Sequence, residues 1–160
     1  MMIKYICNII AIFAGILIFL IFLSILYDVI LRYFFYKPTR WALDIGELLL
    51  LPVVYLPIAL TYIQDEHVKV DLLISLLKNN KIKNILDYIT NIFMLIWSII
   101  SSFLIFSLGL EYYSSGRVSQ IGEIVIFPYV FISFIGTLMF TIVLLQIITK
   151  VFFKKIISIK

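Results

Sequence analysis

Four long uncharged runs organise the chain: Tyr5 to Tyr27, Leu48 to Gln64, Tyr88 to Leu110 and Ile124 to Thr149. A helix needs about 20 mostly apolar residues to cross roughly 30 Å of hydrocarbon. The first, third and fourth runs meet that length outright. The second does so when its helix starts near Trp41 and takes Glu47 into the span. The pattern predicts an all-α membrane protein with four transmembrane helices near 5–35, 41–65, 85–111 and 123–152. Residues 1–160 then form a single integral membrane domain.

The link between the second and third helices has its own periodicity. Asp71, Ser75 and Lys78 fall at i, i+4 and i+7, while Leu72, Leu73, Leu76 and Leu77 take the other face. This predicts a short amphipathic helix over 68–78, too short to span and suited to lying in the membrane interface. A polar turn, Lys78-Asn79-Asn80-Lys81-Ile82-Lys83, follows it.

Prolines and capping residues mark the remaining boundaries. Thr39 is placed to cap helix 2, and Asp44 falls in its first turn. Pro52 and Pro57 lie inside helix 2 and should bend it, which membrane helices tolerate when neighbours satisfy the freed carbonyls. Pro128 marks the first turns of helix 4. The first run resembles a secretory signal in having Lys4 ahead of it. It is too long for one, and no small-x-small cleavage site follows before Asp28, so a retained helix is expected.

Composition narrows the class. The chain is 64% hydrophobic with 14% charged residues, a balance suited neither to a water-soluble domain nor to a disordered one. With four spans, both termini and the middle loop share one side. That side holds nine basic residues (Lys4, Lys69, Lys78, Lys81, Lys83, Lys150, Lys154, Lys155 and Lys160), against Arg32, Lys37, Arg40 and Arg117 on the other. The positive-inside rule places the termini in the cytoplasm. The net charge of +4 is thereby explained by topology and contact with anionic lipid headgroups. No basic stripe with exposed aromatics suggests nucleic-acid binding. The single Cys7 rules out an intramolecular disulfide.

Against this apolar background a short polar series stands out: Asp28, Arg32-Tyr33, Trp41, Glu47 and His67-Val68-Lys69-Val70-Asp71. An ionisable group inside the bilayer costs about 2–3 kcal/mol on insertion scales, so residues kept there need partners. Asp28 and Arg32, four apart on one helix face, are placed to pair. Trp41 sits where an aromatic belt residue is expected. Glu47 lies a turn or more into helix 2, and a buried ion pair is expected of it, with Arg32 or Arg40 or with a cation on another chain. His67 is the only histidine; beside Asp65 and Glu66 its imidazole is expected to titrate near neutral pH, and a metal site there would want a further donor cluster. No Ser/His/Asp grouping, glycine-rich phosphate loop or paired metal motif is present, so an enzyme is not expected. Small residues for close helix packing are sparse, with Ala11 and Gly15 the clearest pair.

The order Asp28, Arg32-Tyr33, Trp41, Glu47, His67-Val68-Lys69-Val70-Asp71-Leu72-Leu73 resembles the small membrane subunit (DctQ-like) of tripartite ATP-independent periplasmic (TRAP) transporters. The resemblance covers helices 1 and 2 and the interfacial helix, about half of the chain. Helices 3 and 4 agree in length and apolarity. One departure concerns packing: the family often has a glycine in the second half of helix 2, where this chain has Leu56-Pro57-Ile58-Ala59.

The resemblance implies a multi-pass subunit of the bacterial inner membrane without a catalytic or cofactor site. Its partners would be a large membrane subunit, a soluble periplasmic binding protein and membrane lipids. In this family the large subunit carries the substrate and sodium sites and moves as an elevator, while the binding protein delivers an organic acid such as a four-carbon dicarboxylate or a sialic acid. The small subunit braces the large one. Asp28, Arg32, Arg40, Trp41, Glu47, His67 and Asp71 then become candidates for structural or partner contacts. The principal alternative is an autonomous small carrier or channel, assembled as a homo-oligomer with Glu47 lining a shared pore. A membrane-embedded enzyme using His67, Asp65 and Asp71 is the third class.

Overall fold

The computed structural model describes residues 2–64 and 80–157. Five helices run through them: α1 (Met2–Phe35), α2 (Ala42–Tyr55), α3 (Ile58–Ile63), α4 (Asn80–Ser115) and α5 (Phe127–Ile157). The segments Ile3–Phe35, Ala42–Ile63, Tyr88–Ser115 and Phe127–Thr149 are each long and apolar enough to cross a membrane. These are the four expected spans. The interfacial helix expected over 68–78 lies outside the described residues, as do His67 and Asp71.

In lipid no hydrophobic force drives helices together, so packing shape and hydrogen bonds must do so. The buried positions of α1 show how shape does it. Cys7, Ala14, Leu17, Ser24 and Asp28 are buried, with Ile10, Ile21 and Leu31 partly so. Their three-and-four spacing is the seam of a helix pair, narrow because the rest of α1 faces outward. α1 packs on α2 and α3; these pack in turn on α5, and α4 lies chiefly against α5. Two apolar clusters join the layers. Ala14 and Leu17 meet Leu56, and nearer the chain termini Cys7 joins Ala59, Leu60, Tyr62, Phe140, Val143 and Leu144.

The second span is broken between its two prolines. α2 ends at Tyr55 and α3 restarts at Ile58, so the expected bend is a break centred on Leu56-Pro57. Pro57 has no N–H to return to the chain one turn earlier. The Leu56 N–H still reaches the Pro52 carbonyl at 3.0 Å, and the Thr61 N–H resumes the ladder on Pro57 at 3.1 Å. A helix neighbour fills the break. A Cβ placed on Gly136 of α5 would fall 2.5 Å from the Tyr55 carbonyl oxygen and 2.8 Å from the Leu56 nitrogen. The glycine that permits close approach to helix 2 therefore sits on α5.

That location corrects the expectation for Gly15, where an added Cβ would meet nothing within 4 Å. Close packing uses α5 and α4 instead: a Cβ on Gly109 would lie 3.4 Å from the Phe131 ring, and the Thr141 hydroxyl donates to Ser98 Oγ at 3.2 Å.

The fourth span starts later than expected, at Phe127 rather than near 123. Residues 117–126 form a small hairpin instead. The Ser119 N–H donates to Ile124 at 2.8 Å, the Ile126 N–H to Arg117 at 3.3 Å, and Val118 bridges Val125 antiparallel. α4 leads into it through a Schellman-type end: Gly116 takes φ +61° and the Arg117 N–H reaches the Tyr112 carbonyl at 3.3 Å.

Candidate functional site at the two-aspartate end

The loops 36–41 and 116–126 lie at one end of the bundle, and an aspartate anchors each. Asp28 closes the buried seam of α1 and is 5% exposed. Its Oδ1 accepts the Thr39 N–H at 2.7 Å and the Thr39 hydroxyl at 2.5 Å. Its Oδ2 accepts from Arg32 Nη2 at 2.7 Å, the two side chains sharing a helix face one turn apart. The first carboxylate thus ties the α1–α2 loop back onto α1.

Thr39 is consumed by this contact and does not cap α2, as its position suggested. Trp41 occupies the N-cap position, with no side-chain cap bond. Its ring stacks on Tyr27 at 6.0 Å between centroids. Trp41 and Tyr27 also border an open apolar groove of about 620 Å³ between α1 and α2, lined further by Leu20, Leu23, Ser24 and Ile45. The Ser24 hydroxyl donates to the carbonyl of Ile21 in its own helix, so this groove presents no charged group to an ionic solute.

Asp44, in the first turn of α2 and 4% exposed, is the second anchor. Its Oδ2 accepts the Gly122 N–H at 2.6 Å and the Ile121 N–H at 3.2 Å. Gly122 makes this approach easy: a Cβ there would sit a tight 3.2 Å from both the Asp44 carboxylate and the Trp41 Cα. Ser119 Oγ accepts the Ile124 N–H at 3.0 Å, closing the same turn. In the sequence Asp44 stands out only as a helix-dipole complement in the first turn of helix 2. Its partners lie 77 and 78 residues away, and only the pairing of an acidic first turn with a glycine-bearing loop hinted at them.

Glu47 behaves differently. α2 turns Ala42, Asp44, Leu48 and Pro52 inward, and that phase leaves Glu47 exposed. The ion pair expected with Arg32 or Arg40 is not formed within the chain. Glu47 has no hydrogen bond or ion pair among the described residues, Arg32 is committed to Asp28, and Arg40 is exposed. The structure therefore brings together Asp28, Arg32, Thr39, Trp41 and Asp44 near one end, with Glu47 on the outside.

Deeper in the bundle the polar side chains are turned back on their own helices. Ser98, Ser133 and Thr137 donate to carbonyls three or four residues earlier. The Tyr62 hydroxyl donates to Asn91, linking α3 to α4. Every buried side-chain nitrogen or oxygen among the described residues has a partner. Of these deeper contacts, Tyr62 with Asn91 and Thr141 with Ser98 join one helix to another.

Comparison with protein-family models matches residues 21–154 to the DctQ component of the tripartite ATP-independent periplasmic transporters. That match runs through α4 and α5, beyond the half of the chain that carries the polar series. No curated protein and no solved structure matches the chain.

Proposed function

The chain belongs to the DctQ component family of the tripartite ATP-independent periplasmic transporters, and from that premise we propose that it is the brace of a sodium-coupled organic-acid importer. As a DctQ component it is a TRAP small permease subunit, a multi-pass protein of the inner membrane in a family of transporter components rather than enzymes. TRAP systems in general join such a subunit to a large membrane subunit and a periplasmic binding protein. In our proposal the large subunit holds the solute and sodium, and this chain holds no cofactor. It stiffens the stationary part against which the large subunit moves. The solute is a dicarboxylate or sialic-acid-like acid. The two-aspartate end faces the periplasm, within reach of the binding protein, and the termini face the cytoplasm.

One observation carries this reading. The buried polar side chains among the described residues are spent on their own backbone, on neighbouring helices or on the loops, and the unpaired Glu47 lies on the outer face, so no line of free polar groups runs through the interior of the bundle. A carrier would expose such groups near the middle of the membrane. Broad apolar faces on α1 and α4 suit contact with lipid and with another membrane protein.

Reconstitution tests it. Liposomes with the large subunit and binding protein should take up solute along a sodium gradient when this chain is present, and lose most of that uptake without it. Sodium-driven uptake by this chain alone would contradict the proposal and favour a homo-oligomeric carrier.

A further inference from the structure

α2 carries an unpartnered stripe. Leu43, Glu47, Leu50, Leu51 and Val54 recur at i, i+4, i+7, i+8 and i+11, which places them on one helix face. All five are exposed, the four apolar ones by 40–56%. Neither neighbour of α2 covers them, because Leu49 and Val53 pack toward α1, and the Tyr55–Leu56 backbone abuts Gly136 of α5. Leu43, Glu47, Leu50 and Val54 follow the four-three-four spacing of a helix-pairing seam, and a single polar position in such a seam fixes register and partner.

Depth makes Glu47 distinctive. The Ala42–Ile63 segment has 22 residues. At 1.5 Å per residue it is about 33 Å long, barely the thickness of the hydrocarbon. Glu47 then lies about 7–8 Å along the axis from Ala42, inside the apolar layer. The Tyr88–Ser115 segment has 28 residues, about 42 Å, so Glu111 near its end reaches the headgroups. Arg32, near the end of the 33-residue Ile3–Phe35 segment, does so as well.

We propose that this stripe is the docking seam for one transmembrane helix of the large permease subunit, and that Glu47 meets a Lys or Arg of that helix. The inference rests on the small-subunit reading above. A soluble binding protein cannot reach this depth. A second copy of this chain, inserted in the same direction, presents its residues at equal depths, and a twofold pairing would set Glu47 against Glu47. Among the described residues no exposed Lys or Arg stands at that level of the bundle to relieve it. The charge therefore calls for a different membrane protein.

The test uses the assembled transporter with a photo-crosslinking amino acid at Leu50 or Val54, and, as a reference, at Phe103 on the exposed face of α4. Crosslinks to the large subunit from Leu50 and Val54 but not from Phe103 are expected. Glu47→Lys should lower recovery of the large subunit about tenfold through like-charge contact, and reversing the facing cation should restore it. Crosslinks from Leu50 and Val54 only to lipid or to a second copy would overturn the seam, even when wild-type chain still captures the large subunit. Failure of wild-type chain to capture the large subunit would instead overturn the small-subunit reading. The crosslinking readout stands independently of whether Glu47→Lys folds.

Discussion

The Asp44 carboxylate accepts the backbone N–H of Gly122 at 2.6 Å, joining the start of α2 to the tip of the α4–α5 hairpin. With Asp28 on Thr39, it forms a pair of carboxylate anchors at one end of the bundle. A loop amide held by an ionised acceptor makes a short, strong hydrogen bond, and removing the acceptor leaves the amide without its partner.

Asp44→Ala should therefore release the hairpin locally. Backbone amides of Ile121 and Gly122 should exchange with deuterium faster, while the Thr39 amide keeps its protection. Asp44→Asn, which retains an acceptor oxygen, should fall between. Exchange mass spectrometry in detergent or nanodiscs reads all three.

Asp28 offers the complementary experiment. Asp28→Ala should free the 36–40 loop and the Thr39 amide without affecting Gly122. Thr39→Val removes the 2.5 Å hydroxyl bond but keeps the 2.7 Å amide bond, so its effect should be smaller. Arg32→Ala should have the smallest effect, because its side chain is 54% exposed and Asp28 keeps both hydrogen bonds from Thr39 without it. The same exchange measurement, with thermal unfolding alongside, orders the three variants.

Gly136 and Gly15 should respond in opposite ways to the same substitution. Gly136→Ala drives a methyl into the Tyr55–Leu56 backbone and should destabilise the bundle by about 1–3 kcal/mol, the usual cost of overpacking. Gly15→Ala meets open space and should be neutral or slightly stabilising through helix propensity. Equilibrium unfolding in mixed micelles distinguishes them, and equal effects would contradict the close approach at Gly136.

The hydroxyl link between α4 and α5 makes a modest claim. Thr141→Val removes the bond to Ser98 Oγ and should cost about 0.6 kcal/mol, the average for a hydrogen bond between membrane helices. The same unfolding measurement is sensitive enough to detect it when several replicates are combined.

These residues also show what the sequence made visible. The spans were legible because run length alone reports them, and the break at Leu56-Pro57 because proline chemistry is local. The seam from Cys7 to Asp28 was hidden: residues facing lipid and residues facing a helix are equally apolar, so no hydropathy contrast marks the buried side. Gly136 and Gly15 look alike in sequence, and only the position of the Tyr55 carbonyl separates them. Asp28 was recognisable through Arg32 four residues on, whereas Asp44 meets its partners 77 and 78 residues away. Glu47 stood out as a charge in an apolar run, but the helix phase that exposes it depends on where α2 begins.

The central claim is that the polar residues at the two-aspartate end are joints and do not handle solute or ions. The most direct measurement is solute uptake by the assembled transporter carrying Asp28→Asn and Asp44→Asn, normalised to the amount of intact complex. Uptake per complex should keep the wild-type KM for solute and for sodium, with any loss appearing as less complex recovered. A changed KM for either species in a fully assembled complex would contradict it.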